Sequence, residues 1–259
     1  MIGFEVFTIF GISVPTHGLG IALAALLAIL LIRRQARLSG MNPELILDFA
    51  TYALIAGVLG ARIWYVIFSW EYYAADPLSI LRIWEGGLAL QGGLAGGIIA
   101  GIWFARKNKL PVWSFADIVA PGLILGMAIG RIGDFMAGDD FGIVSESFGV
   151  VYKPGTMAYE ANGPLPLFPT ALFEAAADLI IMGVILALRK QNVFKGFLFL
   201  FMLITYSIAR FFLEFTRGDS LMTFFNLRTA QVTSVVTIII ALIFLYIRVK
   251  QTRSQTRTE

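Results

Sequence analysis

Seven stretches of this chain are each long and apolar enough to cross about 30 Å of hydrocarbon: residues 14–33, 44–68, 88–106, 113–131, 169–189, 195–216 and 229–249. Lipid offers the backbone no hydrogen bonds, so runs of this length have to be helices that satisfy their own N–H and C=O groups. The predicted fold is an all-α integral membrane protein with seven transmembrane helices. Hydrophobic residues make up 58% of the chain and charged ones 14%, against about 45–50% and about 25% in soluble domains. With no long polar extension, residues 1–259 are expected to form a single polytopic membrane domain.

The connections set the orientation. Those at 33–37, 105–109 and 189–195, together with the tail after Ile247, hold thirteen basic residues: Arg33, Arg34, Arg37, Arg106, Lys107, Lys109, Arg189, Lys190, Lys195, Arg248, Lys250, Arg253 and Arg257. The opposite side carries acidic and aromatic stretches such as Trp70-Glu71-Tyr72-Tyr73 and Gly138-Asp139-Asp140. Basic connections stay on the cytoplasmic side, which predicts the N-terminus out and the C-terminus in. The first residues, Met1 to Phe10, lack the basic region of a secretory signal, so no cleaved signal peptide is expected. The longest connection, about 132–168, falls on the outer side and is rich in Gly, Pro and acidic residues. A loop of that length predicts a small extracytoplasmic cap between the fourth and fifth helices. Small residues at Ala53, Gly57 and Ala61, and at Gly92, Gly93, Gly96, Gly97 and Gly101, predict close helix contacts.

Polar residues inside the apolar runs carry the functional signal. A charge at bilayer depth costs roughly 2.5–3.5 kcal/mol, so such residues face a cavity or a partner. In the sixth run, Tyr206, Arg210, Glu214 and Arg217 fall within about a quarter of the circumference at about 100° per residue. Arg131 closes the fourth run in Gly130-Arg131-Ile132-Gly133-Asp134-Phe135 and leads toward Asp139 and Asp140. Arg210 and Glu214, spaced i, i+4, form an internal pair, while Arg217 and Tyr206 leave surplus positive charge on that face. Guanidinium forks match phosphate, so the expected ligand is an anionic phospholipid headgroup held by Arg131, Arg210, Arg217 and Tyr206. Arg62 in the second run is either a further ligand or a tether to neighbouring carbonyls. Gly92 and Gly93 either let helices pack or present N–H groups to phosphate. Glu174 follows the helix start at Pro169-Thr170, where it supports the cap or the ligand.

Cysteine is absent and His17 is the single histidine. The chain therefore has no thiolate nucleophile, no disulfide and no Cys- or His-rich metal centre. No metal, cofactor or nucleic-acid partner is expected. His17, at the outer start of the first run, is the side chain whose ordinary pKa suits proton transfer near neutrality.

These residues resemble the bacterial prolipoprotein diacylglyceryl transferases over nearly the whole chain. The resemblance rests on Gly60-Ala61-Arg62 with Tyr65, on Gly86-Gly87-Leu88-Ala89-Leu90-Gln91-Gly92-Gly93-Leu94 and on Gly130-Arg131-Ile132-Gly133-Asp134-Phe135. It rests also on Tyr206-Ser-Ile-Ala-Arg210-Phe-Phe-Leu-Glu214-Phe-Thr-Arg217, and on Gln231 with Ser234. It implies a multi-pass enzyme of the bacterial inner membrane with its site toward the extracytoplasmic side. Such an enzyme moves diacylglyceryl from phosphatidylglycerol to the lipobox cysteine of a prolipoprotein signal peptide. Arg131, Arg210, His17, Glu214 and Asp134 are then the candidate catalytic residues. Arg131, Arg210, Tyr206, Arg217, Arg62, Gln91, Gly92, Gly93 and Glu174 are the candidate substrate ligands. The chain departs from the family pattern in places. Gln91 stands where members typically have His before Gly-Gly-Leu, and Asp134 replaces the usual Asn. His17 stands near the place of an expected Tyr, and Phe168-Pro169-Thr170-Ala171-Leu172-Phe173-Glu174 reduces a His-Pro-Ser-Gln-Xaa-Tyr-Glu pattern. Gln91 cannot act as a base, so His17, Asp134 or Glu214 is expected to take the thiol proton. Two other readings stay open: a paralogue that binds anionic phospholipid with another acceptor or no transfer, and a small-anion transporter. The latter predicts repeated halves, and none is found.

Overall fold

A computed structural model of the chain describes residues 7–9, 12–14, 16–191, 193–219 and 227–255. Two three-residue strands, β1 (Phe7–Ile9) and β2 (Ile12–Val14), pair antiparallel with Phe7 opposite Val14. The rest is helical, with helices α1 (Thr16–Leu38), α2 (Leu45–Phe68), α3 (Trp70–Ala75), α4 (Leu90–Lys107) and α5 (Val112–Ala137). These are followed by α6 (Met157–Asn162), α7 (Thr170–Leu188), α8 (Phe197–Leu213) and α9 (Thr229–Gln255). Six of the described helices, α1, α2, α5, α7, α8 and α9, are long and apolar enough to cross a membrane. Their outward faces are apolar. On α9, Val232, Val236, Ile239, Ile240 and Ile243 are all exposed, a surface that water would not tolerate but lipid does. Helix α4 covers the third predicted span, but with its glycines, Gln91, Arg106 and Lys107 it is not among these six.

The chain falls into two compact units, Ile32–Ile118 and the remainder, Met1–Leu31 with Val119–Glu259. In the first unit α2 and α4 pack backbone to backbone. A Cβ placed on Gly92 would come 2.2 Å from the Gly60 carbonyl oxygen, and one on Gly96 would come 2.1 Å from that of Ala56. The small-residue expectation holds, but the tight seam is Gly60–Gly92 and Ala56–Gly96 rather than Ala53–Gly57–Ala61. At Gly57 a Cβ would meet nothing closer than 3.8 Å, and at Gly97 nothing within 4 Å. At the other end of this pair, Phe49, Phe104 and Phe115 pack ring against ring with centroids 4.9–5.8 Å apart.

In the second unit, Ala120, Ile124, Ile181, Ile185, Leu198 and Met202 form a core shared by α5, α7 and α8. The connection expected to form a cap over 132–168 is shorter than that, because α5 runs on to Ala137. Ile132, Phe135 and Met136 continue its apolar pattern. The cap has its own small core of Phe135, Phe141, Tyr152, Ala158, Leu167 and Ala171. Bridges pair Val144 and Val150 with Leu167, and Gly142 with Arg217. Gly142 has to be glycine there, since a Cβ would meet the Phe168 carbonyl at 2.3 Å.

Candidate active site

Three apolar helices of the second unit deliver charged side chains to one place. Arg131 is not a helix-closing residue as expected. It sits six residues inside α5, and α5 ends at Ala137. Its Nε lies 3.0 Å from Glu174 Oε2, and its Nη1 pairs with Asp140 Oδ2 and lies 3.6 Å from Asp134 Oδ2. Glu174 projects from the second turn of α7 and is the hub. Its Oε1 pairs with Arg210 Nη1, and its Oε2 also lies 3.5 Å from Arg217 Nη1. Arg210, on α8, reaches Glu214 with its other amino group at 3.1 Å. Three guanidiniums around one carboxylate would repel if it were absent, so Glu174 is what holds them together.

Arg217 does not share the α8 face as predicted. The helix ends at Leu213 and tightens into a 3₁₀ turn, Glu214–Thr216, closed by Thr216 Oγ1 donating to the Leu213 carbonyl at 2.7 Å. Arg217 is therefore extended, and its Nη2 reaches Asp140 Oδ1 at 2.7 Å and Asp219 Oδ2 at 2.5 Å. Burial opposes its charge, but hydrogen bonds to Asp140 and Asp219 and the charge of Glu174 outweigh that and hold its pKa above the ordinary arginine value. From the start of α9, Arg228 donates to the carbonyls of Glu214 and Arg217, and its own N–H donates to Gln231 Oε1 at 3.1 Å.

The expected surplus of positive charge is not there. Against Arg131, Arg210 and Arg217 stand the carboxylates of Asp134, Asp140, Glu174, Glu214 and Asp219. Sequence reasoning weighed the charges of α8 alone, while α7 and the cap contribute the balance. Asp134 and Glu214, two of the candidate bases, are each paired with an arginine.

Beside this network lies a small cleft walled by Arg131, Glu174, Ala177, Asp178, Tyr206, Ala209, Arg210 and Leu213. The space it encloses is small, about 10 Å³, or room for about one water molecule. Tyr206 lines the cleft together with Arg131 and Arg210. Ala177, Ala209 and Leu213 give the cleft an apolar side. Asp178 went unnoticed in the sequence, although an acid one turn from Glu174 in a span of mean hydropathy 2.2 is a usable signal.

The other predicted residues belong to α1, α2 and α4. His17 falls in the first turn of α1, and its side chain is outside the described residues. Arg62 belongs to the first unit and is a tether. Its Nε donates to the Ile80 carbonyl at 2.8 Å, its Nη1 to Gly86 and Gly87 at 2.7 and 3.0 Å, and its Nη2 to Ser79 and Arg82 at 2.6 and 3.4 Å. All five N–H donors are thereby used, which leaves none for a phosphate. Of the two expected roles, ligand or tether, these contacts match the tether. Gly92 serves packing, and the Gly93 N–H donates to the Ala89 carbonyl at 3.1 Å. Gln91 is exposed in the first turn of α4.

A chain of six long apolar helices, with a charged cleft among α5, α7 and α8, has the features of a multi-pass membrane protein. It belongs to the prolipoprotein diacylglyceryl transferase family, whose model matches residues 5–247. Among its relatives is the phosphatidylglycerol–prolipoprotein diacylglyceryl transferase of Oceanobacillus iheyensis, 40% identical over 245 residues, covering 92% of this chain and 85% of that protein. Relatives of the same name are found in Bacillus licheniformis, 39% identical over 243 residues (89% and 86% covered), and Bacillus velezensis, 37% over 240 (92% and 89%). The resemblance seen in the motifs is borne out.

Proposed function

We propose that this chain transfers the diacylglyceryl group of phosphatidylglycerol to the lipobox cysteine of bacterial prolipoproteins, forming a thioether and releasing glycerol phosphate. The observation that carries the reading is a cleft walled by Arg131 and Arg210, in a chain about 40% identical to proteins of that name. The lipid's phosphodiester lies against Arg131, Arg210 and Tyr206, with its glyceryl carbons toward Ala177, Ala209 and Leu213. As the ester C–O bond breaks, the phosphate gains a negative charge, and preorganised guanidiniums stabilise that charge without reorganising. Glu174 keeps Arg131, Arg210 and Arg217 converged, and Asp140 and Asp134 orient Arg131. The sulfur nucleophile belongs to the substrate, which suits a chain without cysteine.

In this reading α4 is the seventh membrane crossing, the N-terminus is outside and the C-terminus inside. The cleft opens toward the extracytoplasmic face of the inner membrane, where the signal peptide of the precursor arrives.

The test is to reconstitute the purified protein with phosphatidylglycerol and a lipobox peptide bearing one cysteine, and to weigh the peptide. A mass gain of one diacylglyceryl group, lost in a folded Arg131→Ala variant, is the expected result. Phosphatidylglycerol binding without any gain favours a lipid-binding paralogue, a reading for which Gln91 in place of the family's histidine speaks.

A further inference from the structure

One buried carboxylate stands outside the ion-pair network. Asp178 lies one turn beyond Glu174 on α7 and is 2% exposed. Its Oδ2 has no hydrogen-bond partner among the described residues. A buried acceptor without a donor is costly, and a carboxylate at that depth more so. The groups facing Asp178 are Arg131 from α5, Tyr206 and Arg210 from α8, and Glu174 from its own helix. All of them wall the cleft with it. Asp178 therefore shares the cleft walls with Arg131 and Arg210, and its Oδ2 keeps an unused lone pair.

We infer that Asp178 accepts the proton of the acceptor cysteine thiol. The assignment rests on the transferase reading above. With the phosphate against Arg131 and Arg210, the carbon under attack lies on the acyl-chain side, and in-line displacement puts the sulfur beyond it. One helical turn separates Glu174 from Asp178, about 6 Å along the axis. That offset accommodates a C–O bond and a near-attack S···C approach of about 3–3.5 Å. The S–H bond breaks and its proton passes to Asp178 Oδ2. The sulfur electron pair forms the S–C bond, the C–O bond to phosphate breaks, and its pair stays on the oxygen. Glycerol phosphate departs with one more negative charge than the lipid phosphate carried, and Asp178 returns its proton to water or to that phosphate. Asp134 and Glu214 are less suited, because each is already paired with an arginine.

The experiment compares wild type, Asp178→Asn and Asp178→Glu in phosphatidylglycerol proteoliposomes with the lipobox peptide, across pH 6 to 9.5. The expected loss for Asp178→Asn at pH 7 is about 10²–10⁴-fold, with phosphatidylglycerol binding retained and Asp178→Glu keeping part of the rate. The residual Asp178→Asn rate should climb about tenfold per pH unit toward the free thiol pKa near 8.5, because only preformed thiolate reacts. A wild-type rate for Asp178→Asn overturns the assignment. So does a loss that comes with lost lipid binding and does not recover at high pH, since that marks a packing residue. A wild type that transfers nothing sinks the transferase reading itself, and this assignment with it.

Discussion

Arg217 Nη2 lies 2.7 Å from Asp140 Oδ1, joining the residue just past the α8 turn to the loop just past α5 across 77 positions of sequence. The second oxygen of the same carboxylate pairs with Arg131. Burial alone would raise the Asp140 pKa, but the hydrogen bond and charge of Arg217, then the charges of Arg131 and Arg210, hold it below the usual 3.8. A carboxyl depressed in the folded state adds stability above its unfolded pKa, and that stability fades as pH falls through the folded value. Proteolysis of the 138–169 cap by an acid-active protease should stay slow down to about pH 4 and rise below it. In Asp140→Asn the cap should be cleaved faster already at neutral pH, without the acid step.

Arg210→Lys separates charge from geometry. Arg210 serves Glu174 and Glu214 through different nitrogens, and one ammonium cannot occupy both positions. A buried carboxylate left without its partner costs about 3–5 kcal/mol. Thermal unfolding in detergent should shift down accordingly, with transfer falling in parallel. An unchanged midpoint and rate would mean that charge alone matters at this position.

For Arg62→Lys the effect should be confined to the connection that Arg62 holds. Lysine offers three donors against the five now shared among the carbonyls of Ser79, Ile80, Arg82, Gly86 and Gly87. Each carbonyl left bare and buried costs about 1–3 kcal/mol. Hydrogen exchange over residues 76–90 should accelerate while phosphatidylglycerol binding stays the same. A loss of lipid binding with slow exchange would restore Arg62 as a ligand.

Gly92→Ala tests the α2–α4 seam. The new Cβ would sit 2.2 Å from the Gly60 carbonyl oxygen, so the backbones must separate at a cost of about 1–3 kcal/mol. Gly97→Ala, with nothing within 4 Å, is the control and should be neutral or slightly stabilising. Equal melting temperatures for the two variants would mean that the seam is loose.

The apolar runs located the helices because length and hydropathy are local properties. They did not locate the ends. Ile132, Phe135 and Met136 carry α5 past Arg131, and the Thr216 hydroxyl stops α8 before Arg217. Among the polar residues, Arg131, Arg210, Glu214 and Glu174 could be singled out because each is costly in lipid. Their pairing could not, since Glu174 meets Arg210 at a separation of 36 residues and Asp140 meets Arg217 at 77. Only one helix was weighed for charge at a time, which is why a surplus was expected where the three-dimensional balance is reversed. Asp178 escaped for a related reason: nothing local separates it from Glu174 one turn earlier on α7, both are buried, and only the ion pairs of Glu174 with Arg131 and Arg210 set them apart.

The hub at Glu174 also imposes an order on biogenesis. Arg131 belongs to α5, with Asp134 on the same helix and Asp140 just past its end, while Glu174 arrives two helices later in the chain. An arginine at bilayer depth is tolerated only at a cost of roughly 2.5–3.5 kcal/mol unless it is paired. The chain supplies two carboxylates to Arg131 within nine residues, before α7 is made. What α7 adds is convergence, because among the described residues Glu174 alone meets all three of Arg131, Arg210 and Arg217.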